Sequence, residues 1–299
     1  MLNKTCIIIA GPTASGKTAT AIRLAKQYST EIISADSRQC FRELNIGVAK
    51  PSPASLQTIP HHFINSHSIH ENISVADFEK VALNAAEIIF KVNNVAVLTG
   101  GTGLYIHAFV KGIDAIPAID PEIREQVKQD YKLKGFDWLS KELKEHDPAF
   151  AEQGEMQNPQ RMMRALEVFL ATGKSILSFQ NNLPQKRNFN IIQFGLEVSR
   201  DELYNRINNR VDEMMNDGLL QEATTLLPFR HLNALQTVGY RELFDFFENK
   251  ITREKAFELI KQNSRHYAKR QLTWFKKDEE IVWLKQNEIL AYLMNSIRE

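Results

Sequence analysis

Short apolar runs punctuate the chain at Cys6 to Ala10, Glu31 to Ala35, His62 to Ile64, Val95 to Thr99, Ile191 to Val198 and Ile281 to Leu284. Each has the length of a strand, and helical patterns lie between most of them. The alternation predicts a parallel α/β sheet covered on both faces, because a strand buried on both sides reads as a continuous apolar run. A first helix is expected over Ala19 to Tyr28, with Ile22, Ala25 and Tyr28 on one face. Between about Gly112 and Asn190 the strand pattern lapses. Polar helical patterns at Pro121 to Lys134, Phe136 to His146 and Pro159 to Thr172 take its place, bounded by the Pro-, Gly- and Asn-rich stretches GIDAIPAIDP and NNLPQKRNFN. The expected organisation is a core formed by residues 1–115 and 191–299, interrupted by an all-helical insertion domain over 116–190.

The loop after the first run, Gly11-Pro12-Thr13-Ala14-Ser15-Gly16-Lys17-Thr18, fits G-x-x-x-x-G-K-[ST] in full. Its context of strand, loop and helix is the one in which backbone N–H groups and a helix N-terminus converge on a polyanion. Lys17 adds a point charge there, and the Thr18 hydroxyl is suited to Mg2+. The expected fold is therefore a P-loop NTPase-like doubly wound parallel sheet, and the expected ligand a phosphate or diphosphate.

With 299 residues the chain is long enough for about two domains. A net charge of +1 gives no global argument for a nucleic-acid partner, so that case must rest on local charge. Lys261 to Lys277 contains no acidic residue. Its Lys261, Arg265, Lys269 and Lys276 recur at helical spacing, while Ile260, Tyr267, Leu272 and Phe275 form a different stripe. That face reads equally as solvated or as phosphate-contacting. Cys6 and Cys40 suggest neither a disulfide framework nor zinc. No apolar stretch approaches the roughly 20 residues of a membrane span, so a cytoplasmic protein without membrane contact is expected, and ordinary surface composition points to a monomer.

The second run ends in Asp36, at the strand edge where doubly wound sheets bind ligands. A carboxylate there suits water-mediated Mg2+ or general-base work, and equally a turn cap by Asp36 or Ser37. Val95 to Thr99 runs into Gly100-Gly101-Thr102-Gly103 without the terminal Asp of motor and transport ATPases, and no GTPase switch motif occurs. Group transfer to a bound acceptor is the better class, with Thr102 placed to hydrogen-bond the acceptor. A small-molecule kinase using ATP, with Asp36 activating a hydroxyl, and a non-catalytic RNA-binding protein remain open on these residues alone. In the insertion, Asn158-Pro159 reads as a helix N-cap and first residue. Arg161 and Arg164 then share one face against the helix dipole, as a functional pair or a solvated face. His61, His62, His67 and His70 lack the spacing of a metal site and read as structural or ligand-lining.

GPTASGKT, ISADS, IGVAKP, VLTGGTGLY, NPQRMMRALE and VGYRE, in this order and at these intervals, resemble the bacterial tRNA dimethylallyltransferase family from about Thr5 to Trp283. The resemblance implies Mg2+-dependent transfer of a five-carbon prenyl group from dimethylallyl diphosphate to N6 of the adenosine 3′ of the tRNA anticodon. It implies that Gly11 to Thr18 cradle the diphosphate, that Lys17 and Mg2+ at Thr18 neutralise the leaving group, and that Arg210 assists. Asp36 would accept the amine proton. Asp36, Ser37, Arg38, Gln39, Thr102 and Gln160 to Arg164 would contact the flipped-out base and its backbone. The insertion, through Arg124, Gln160, Arg161, Met162, Met163 and Arg164, would grip the anticodon stem-loop, and Arg241 would touch RNA or diphosphate. Gln236 stands where some members carry Arg, and the C-terminal zinc finger of eukaryotic relatives is not expected here.

Overall fold

The run at Cys6 to Ala10 becomes β1 (Thr5–Ala10), an inner strand of the sheet in the computed structural model, which describes residues 3–181 and 183–296. With β2 (Ile32–Ser34), β3 (His61–His62), β4 (Val95–Gly100), β5 (Asn190–Leu196) and β6 (Ile281–Leu284) it forms a parallel sheet ordered β3-β2-β4-β1-β5-β6. β1 pairs with β4 through Ala10↔Gly100 and with β5 through Ala10↔Gly195. Their carboxyl ends therefore finish level, and the loops after β1 and β4 leave from adjacent points. β3 starts earlier and is shorter than the expected His62 to Ile64, because Phe63 takes a φ of 63° and ends the extended backbone.

Strand alternation sorts the apolar residues onto two faces. Ile7, Ile9, Ile32 and Val97 pack against α1 (Lys17–Gln27), which crosses from β1 to β2. Cys6, Ile8, Ile33 and Leu98 face the opposite core. α2 (Pro53–Thr58), α3 (Val75–Ile89) and α4 (Gly103–Lys111) complete the first half of the core. α1 buries Thr20, Ala21, Leu24 and Ala25, whereas Ile22 and Tyr28 of the expected stripe lie only part-buried at its margin. The helix starts two residues earlier than Ala19, directly from the loop, and Ile22 turns towards the cleft described below.

The chain divides into two compact units, Met1–Lys111 with Lys186–Glu299, and Gly112–Gln185, where the sequence reading drew 116–190. Residues just before β5 go with the sheet because Arg187 donates to the carbonyls of Ala108 and Phe109 and pairs with Glu79 at 2.6 Å. The second unit holds α5 (Pro121–His146), α6 (Pro148–Gln153) and α7 (Pro159–Thr172). α5 joins the two helices expected on either side of Gly135, whose φ of 78° marks the kink. Val127, Leu139, Leu143, Phe150, Met162 and Leu166 form its separate core. α8 (Arg200–Asn216), α9 (Leu219–Leu226), α10 (Tyr240–Phe247) and α11 (Arg253–Phe275) lie between β5 and β6, and α12 (Ile289–Ser296) follows. Among the described residues no helix is long and apolar enough to cross a membrane.

Candidate active site

The turn from β1 into α1 uses left-handed backbone at Ala14 (φ 63°) and Gly16 (φ 96°), which folds the loop back over the helix N-terminus. The first-turn N–H groups are thereby left to face whatever binds there. Thr13, Ala14, Gly16, Lys17 and Thr18 line a cleft of ≈ 470 Å³ that also takes in Asp36, Arg38, Gln39 and Arg210. Gly11, Pro12 and Ser15 are buried and do not line it. Lys17 Nζ donates to the Pro12 carbonyl at 2.6 Å. Burial brings its pKa down to about 7, against the nearby Asp36 carboxylate, which favours the charged form, and with the help of Arg210, which opposes it. Burial also lowers the pKa of Arg210, whose guanidinium donates to Thr13 Oγ1 at 3.4 Å. Lys17, Arg38 and Arg210 face one carboxylate in this cleft. The excess of cations suits a polyanion.

Asp36 leaves the end of β2 in a turn: its Oδ1 accepts N–H from Arg38 at 2.9 Å and from Gln39 at 3.3 Å. Oδ2 has no partner among the described residues. The two readings of Asp36, cap and base, are thus compatible within one carboxylate. The loop after β4 reaches the same turn. The Thr102 N–H donates to Ala35 O at 3.2 Å, and Thr102 Oγ1 accepts from Ser37 N–H at 3.1 Å. Gly100 permits this approach, since a Cβ there would lie 2.1 Å from the Ala35 carbonyl oxygen.

Sequence reasoning missed the residue that joins the two loops. Gln271, buried on α11, accepts Thr13 N–H at 2.8 Å and donates to Gly101 O at 2.8 Å. One side chain ties the loop after β1 to the loop after β4. The signal was a polar residue on the Ile260–Tyr267–Phe275 stripe, a local inconsistency that marks function or strain. Tyr267 also lines the cleft, its phenol pushed up to about 12 chiefly by burial, with Asp36 adding to the shift.

The basic stripe expected from Lys261 to Lys276 is split by its neighbours. Lys261 pairs with Asp212 at 2.6 Å and Arg265 donates to Asn208 at 2.6 Å, both on α8. Lys269 and Lys276 line a second cleft of ≈ 1070 Å³ with Arg200, Arg206 and Lys285. Arg241 is exposed on α10 and lines neither cleft, and Gln236 donates to the Arg230 carbonyl at 2.6 Å. The histidines have separate partners. His61 Nδ1 lies 2.7 Å from Ile59 O, His62 Nε2 lies 2.6 Å from Glu31, His67 contacts Ser66 and His70 meets Phe229 edge-on.

In the second unit Asn158 caps α7 as its sequence predicts, accepting N–H from Gln160 and Arg161. The arginines opposed to the helix dipole have carboxylate neighbours: Arg161 pairs with Glu155, and Arg164 and Arg124 share Glu167 at 3.2 and 3.4 Å. Gln160 is exposed. Met162 and Met163 require a correction, because at 0% and 6% exposure their side chains fill the core of this unit and are unavailable to RNA.

The family model described as IPP transferase matches residues 39–278, well over half of the chain. The chain is similar to the tRNA dimethylallyltransferase of Flavobacterium johnsoniae, at 47% identity over 99% of each chain. Among solved structures it resembles the tRNA isopentenylpyrophosphate transferase of Bacillus halodurans, with a TM-score of 0.71 at 34% identity over 99% of this chain and 96% of that one. It also resembles a eukaryotic dimethylallyltransferase acting on tRNA, with a TM-score of 0.78 at 25% identity over 95% and 74% of the respective chains. A phosphate loop facing a carboxylate at the end of β2, together with a full-length likeness of this strength, places the chain in the IPP transferase family.

Proposed function

We propose that this protein transfers the dimethylallyl group of dimethylallyl diphosphate to N6 of the adenosine 3′ of the anticodon in tRNA. The observation that carries the reading is the convergence of Lys17, Thr18, Arg210 and the Asp36 carboxylate on one cleft. The diphosphate lies on the loop N–H groups, with Lys17 and Arg210 countering its charge. Ile22, Ile64, Met214 and Val238 supply apolar wall for the prenyl chain. The adenine, flipped from its stack, presents its amine to Asp36, with Thr102 and Ser37 beside it. N6 forms a bond to C1 of the donor as the C1–O bond breaks. The electron pair leaves with diphosphate, and the N6 proton passes to Asp36. Holding both reactants on loops tied by Gln271 converts the encounter into an intramolecular one.

The donor set suits Mg2+: one carboxylate and one hydroxyl are typical of an ion that takes most of its ligands from water and substrate phosphate. Thr18 would hold it directly and Asp36 through water. When bound, it supplies further neutralisation of the diphosphate as it leaves. Arg38 and Gln39 in the core, and Arg124, Gln160, Arg161 and Arg164 in the second unit, provide the RNA contacts of this reading, in a protein that acts as a cytoplasmic monomer.

Donor dependence tests it. The protein is mixed with unmodified tRNA and Mg2+ and given dimethylallyl diphosphate or ATP, and the RNA is weighed by mass spectrometry. A gain of one five-carbon unit with the first donor and none with the second is expected. Phosphate transfer from ATP to any acceptor, with no prenyl transfer, would instead establish the kinase reading.

A further inference from the structure

Between the Asp36 turn and α2 the chain forms no helix or strand, yet Gly47, Val48 and Ala49 line the cleft. Two bonds of its own shape this loop: Ala49 N–H donates to Ile46 O at 2.9 Å and Lys50 N–H to Asn45 O at 3.3 Å. Three consecutive N–H groups then go to one side chain far along the sequence. Glu222 of α9 accepts Asn45 N–H at 3.2 Å and Ile46 N–H at 2.9 Å on Oε2, and Gly47 N–H at 3.0 Å on Oε1. The Tyr240 hydroxyl donates to the same Oε1 at 2.6 Å. Burial, with the neighbouring carboxylate adding to it, pushes the pKa of this phenol up and keeps it a donor. The ring lies against Gly47, where a Cβ would sit 2.5 Å from Tyr240 Cζ.

The carbonyls that follow are tied to the catalytic side. Gln39 Nε2 donates to Val48 O and Ala49 O, both at 3.1 Å, and Gln39 N–H donates to Asp36 Oδ1 at 3.3 Å. A series of hydrogen bonds therefore runs from α9 through the loop to the carboxylate at the end of β2. Only an ionised carboxylate can accept at both of its ends. Glutamine at 222 would offer one oxygen and turn its NH2 towards donors at the other. A misplacement of about 1 Å at a reacting group can cost about 10²-fold in rate, even when its origin is remote.

We propose that Glu222 is a positioning residue for the transfer: through residues 45–49 and Gln39 it holds the Asp36 carboxylate in line with the reacting amine. The inference rests on the functional reading above. It adds to that reading a residue that does not itself line the cleft.

The test uses the full protein with the variants Glu222→Gln and Tyr240→Phe. Glu222→Gln should lower kcat about 10- to 100-fold. KM for dimethylallyl diphosphate should stay within about threefold, the pattern of an interaction lost from the transition state and not from donor binding. In an Asp36→Asn background the same change should cost no more than about twofold, because residues that act through one group are not additive. Tyr240→Phe removes one of the four bonds and keeps the ring, so its loss should be smaller and should vanish in that background; it carries the same comparisons if the Gln variant fails to fold. Amide exchange followed by NMR gives a second readout. The N–H groups of Arg38 and Gln39, which bond Asp36 Oδ1, should exchange faster in the Gln variant, while those of β1 stay as in the parent. Losses that multiply with Asp36→Asn, unchanged exchange at Arg38 and Gln39, or equal acceleration in β1 would overturn the proposal. Should the parent transfer no prenyl group to tRNA, the functional reading falls, and the exchange arm still decides whether Glu222 holds the Asp36 turn.

Discussion

Two substitutions at Asp36 separate its structural role from its chemical one. Its Oδ1 accepts two backbone N–H groups, at 2.9 and 3.3 Å. Asparagine retains an acceptor at that position, and alanine does not. At about 0.5–1.5 kcal/mol net for each hydrogen bond, Asp36→Ala should lose about 1–3 kcal/mol of stability, seen as an unfolding midpoint lower by several degrees. Asp36→Asn should stay within about 0.5 kcal/mol of the parent, inside the usual range of surface substitutions. Both variants lose the proton acceptor, so both should be slower in turnover by about 10² to 10⁴, equivalent to about 3–5 kcal/mol of transition-state stabilisation at 1.36 kcal/mol per tenfold. The Asn variant also removes the negative charge that favours charged Lys17, which works in the same direction. Single-turnover prenyl transfer and urea unfolding on the same preparations give both quantities. Near-parental turnover by Asp36→Asn, within about threefold, would reduce Asp36 to a turn cap. Equal destabilisation by Asn and Ala would show that the turn does not depend on Oδ1.

The depressed pKa of Lys17, about 7, predicts that donor binding takes up a proton, because a bound diphosphate restores the charged form. Affinity should be flat below pH 7, where Lys17 is already charged, and weaken as pH rises above it. Calorimetry from pH 6 to 9 checks this against Lys17→Arg, whose fixed charge reports the donor's own titration; parallel pH profiles for the two proteins would refute it. Lys17→Ala and Thr18→Ala should each lose at least about 10²-fold in transfer while filter binding shows tRNA affinity unchanged, and a matching loss of affinity would contradict that division. Gln271→Leu should orphan the Thr13 N–H and the Gly101 carbonyl, at about 1–3 kcal/mol each, whereas Gln271→Glu keeps the first bond; denaturant titration should rank parent, Glu and Leu in that order of stability. Changing Arg161 and Arg164 together to Gln should raise KM for tRNA and shallow the salt dependence of its binding by about one or two units of slope, and a salt titration with unaltered slope would assign the pair to a solvated face held by Glu155 and Glu167.

What could be read from sequence follows from which forces act locally. β1 and β4 were legible because strands buried on both faces are continuous apolar runs, and the Asn158 cap because it needs only its own helix. The end of β3 was not, since the positive φ of Phe63 carries no signature in residue type. Gln271 escaped because its partners Thr13 and Gly101 lie 258 and 170 residues away in sequence. The basic stripe of α11 was read whole because Asp212 and Asn208, which occupy half of it, belong to another helix. Met162 and Met163 were assigned to RNA by motif, although Met162, Met163 and Leu166 have the spacing of an inward stripe. Here the periodicity was the better guide.

The central claim, prenyl transfer to one defined nucleotide, is tested most directly by locating the product. Unmodified tRNA is incubated with the protein, Mg2+ and dimethylallyl diphosphate, digested with a nuclease, and sequenced by tandem mass spectrometry. The account predicts one five-carbon group per tRNA, on the adenosine immediately 3′ of the anticodon, attached to the base. A prenyl group found elsewhere, or tRNA unchanged while the donor is consumed on another acceptor, would contradict it.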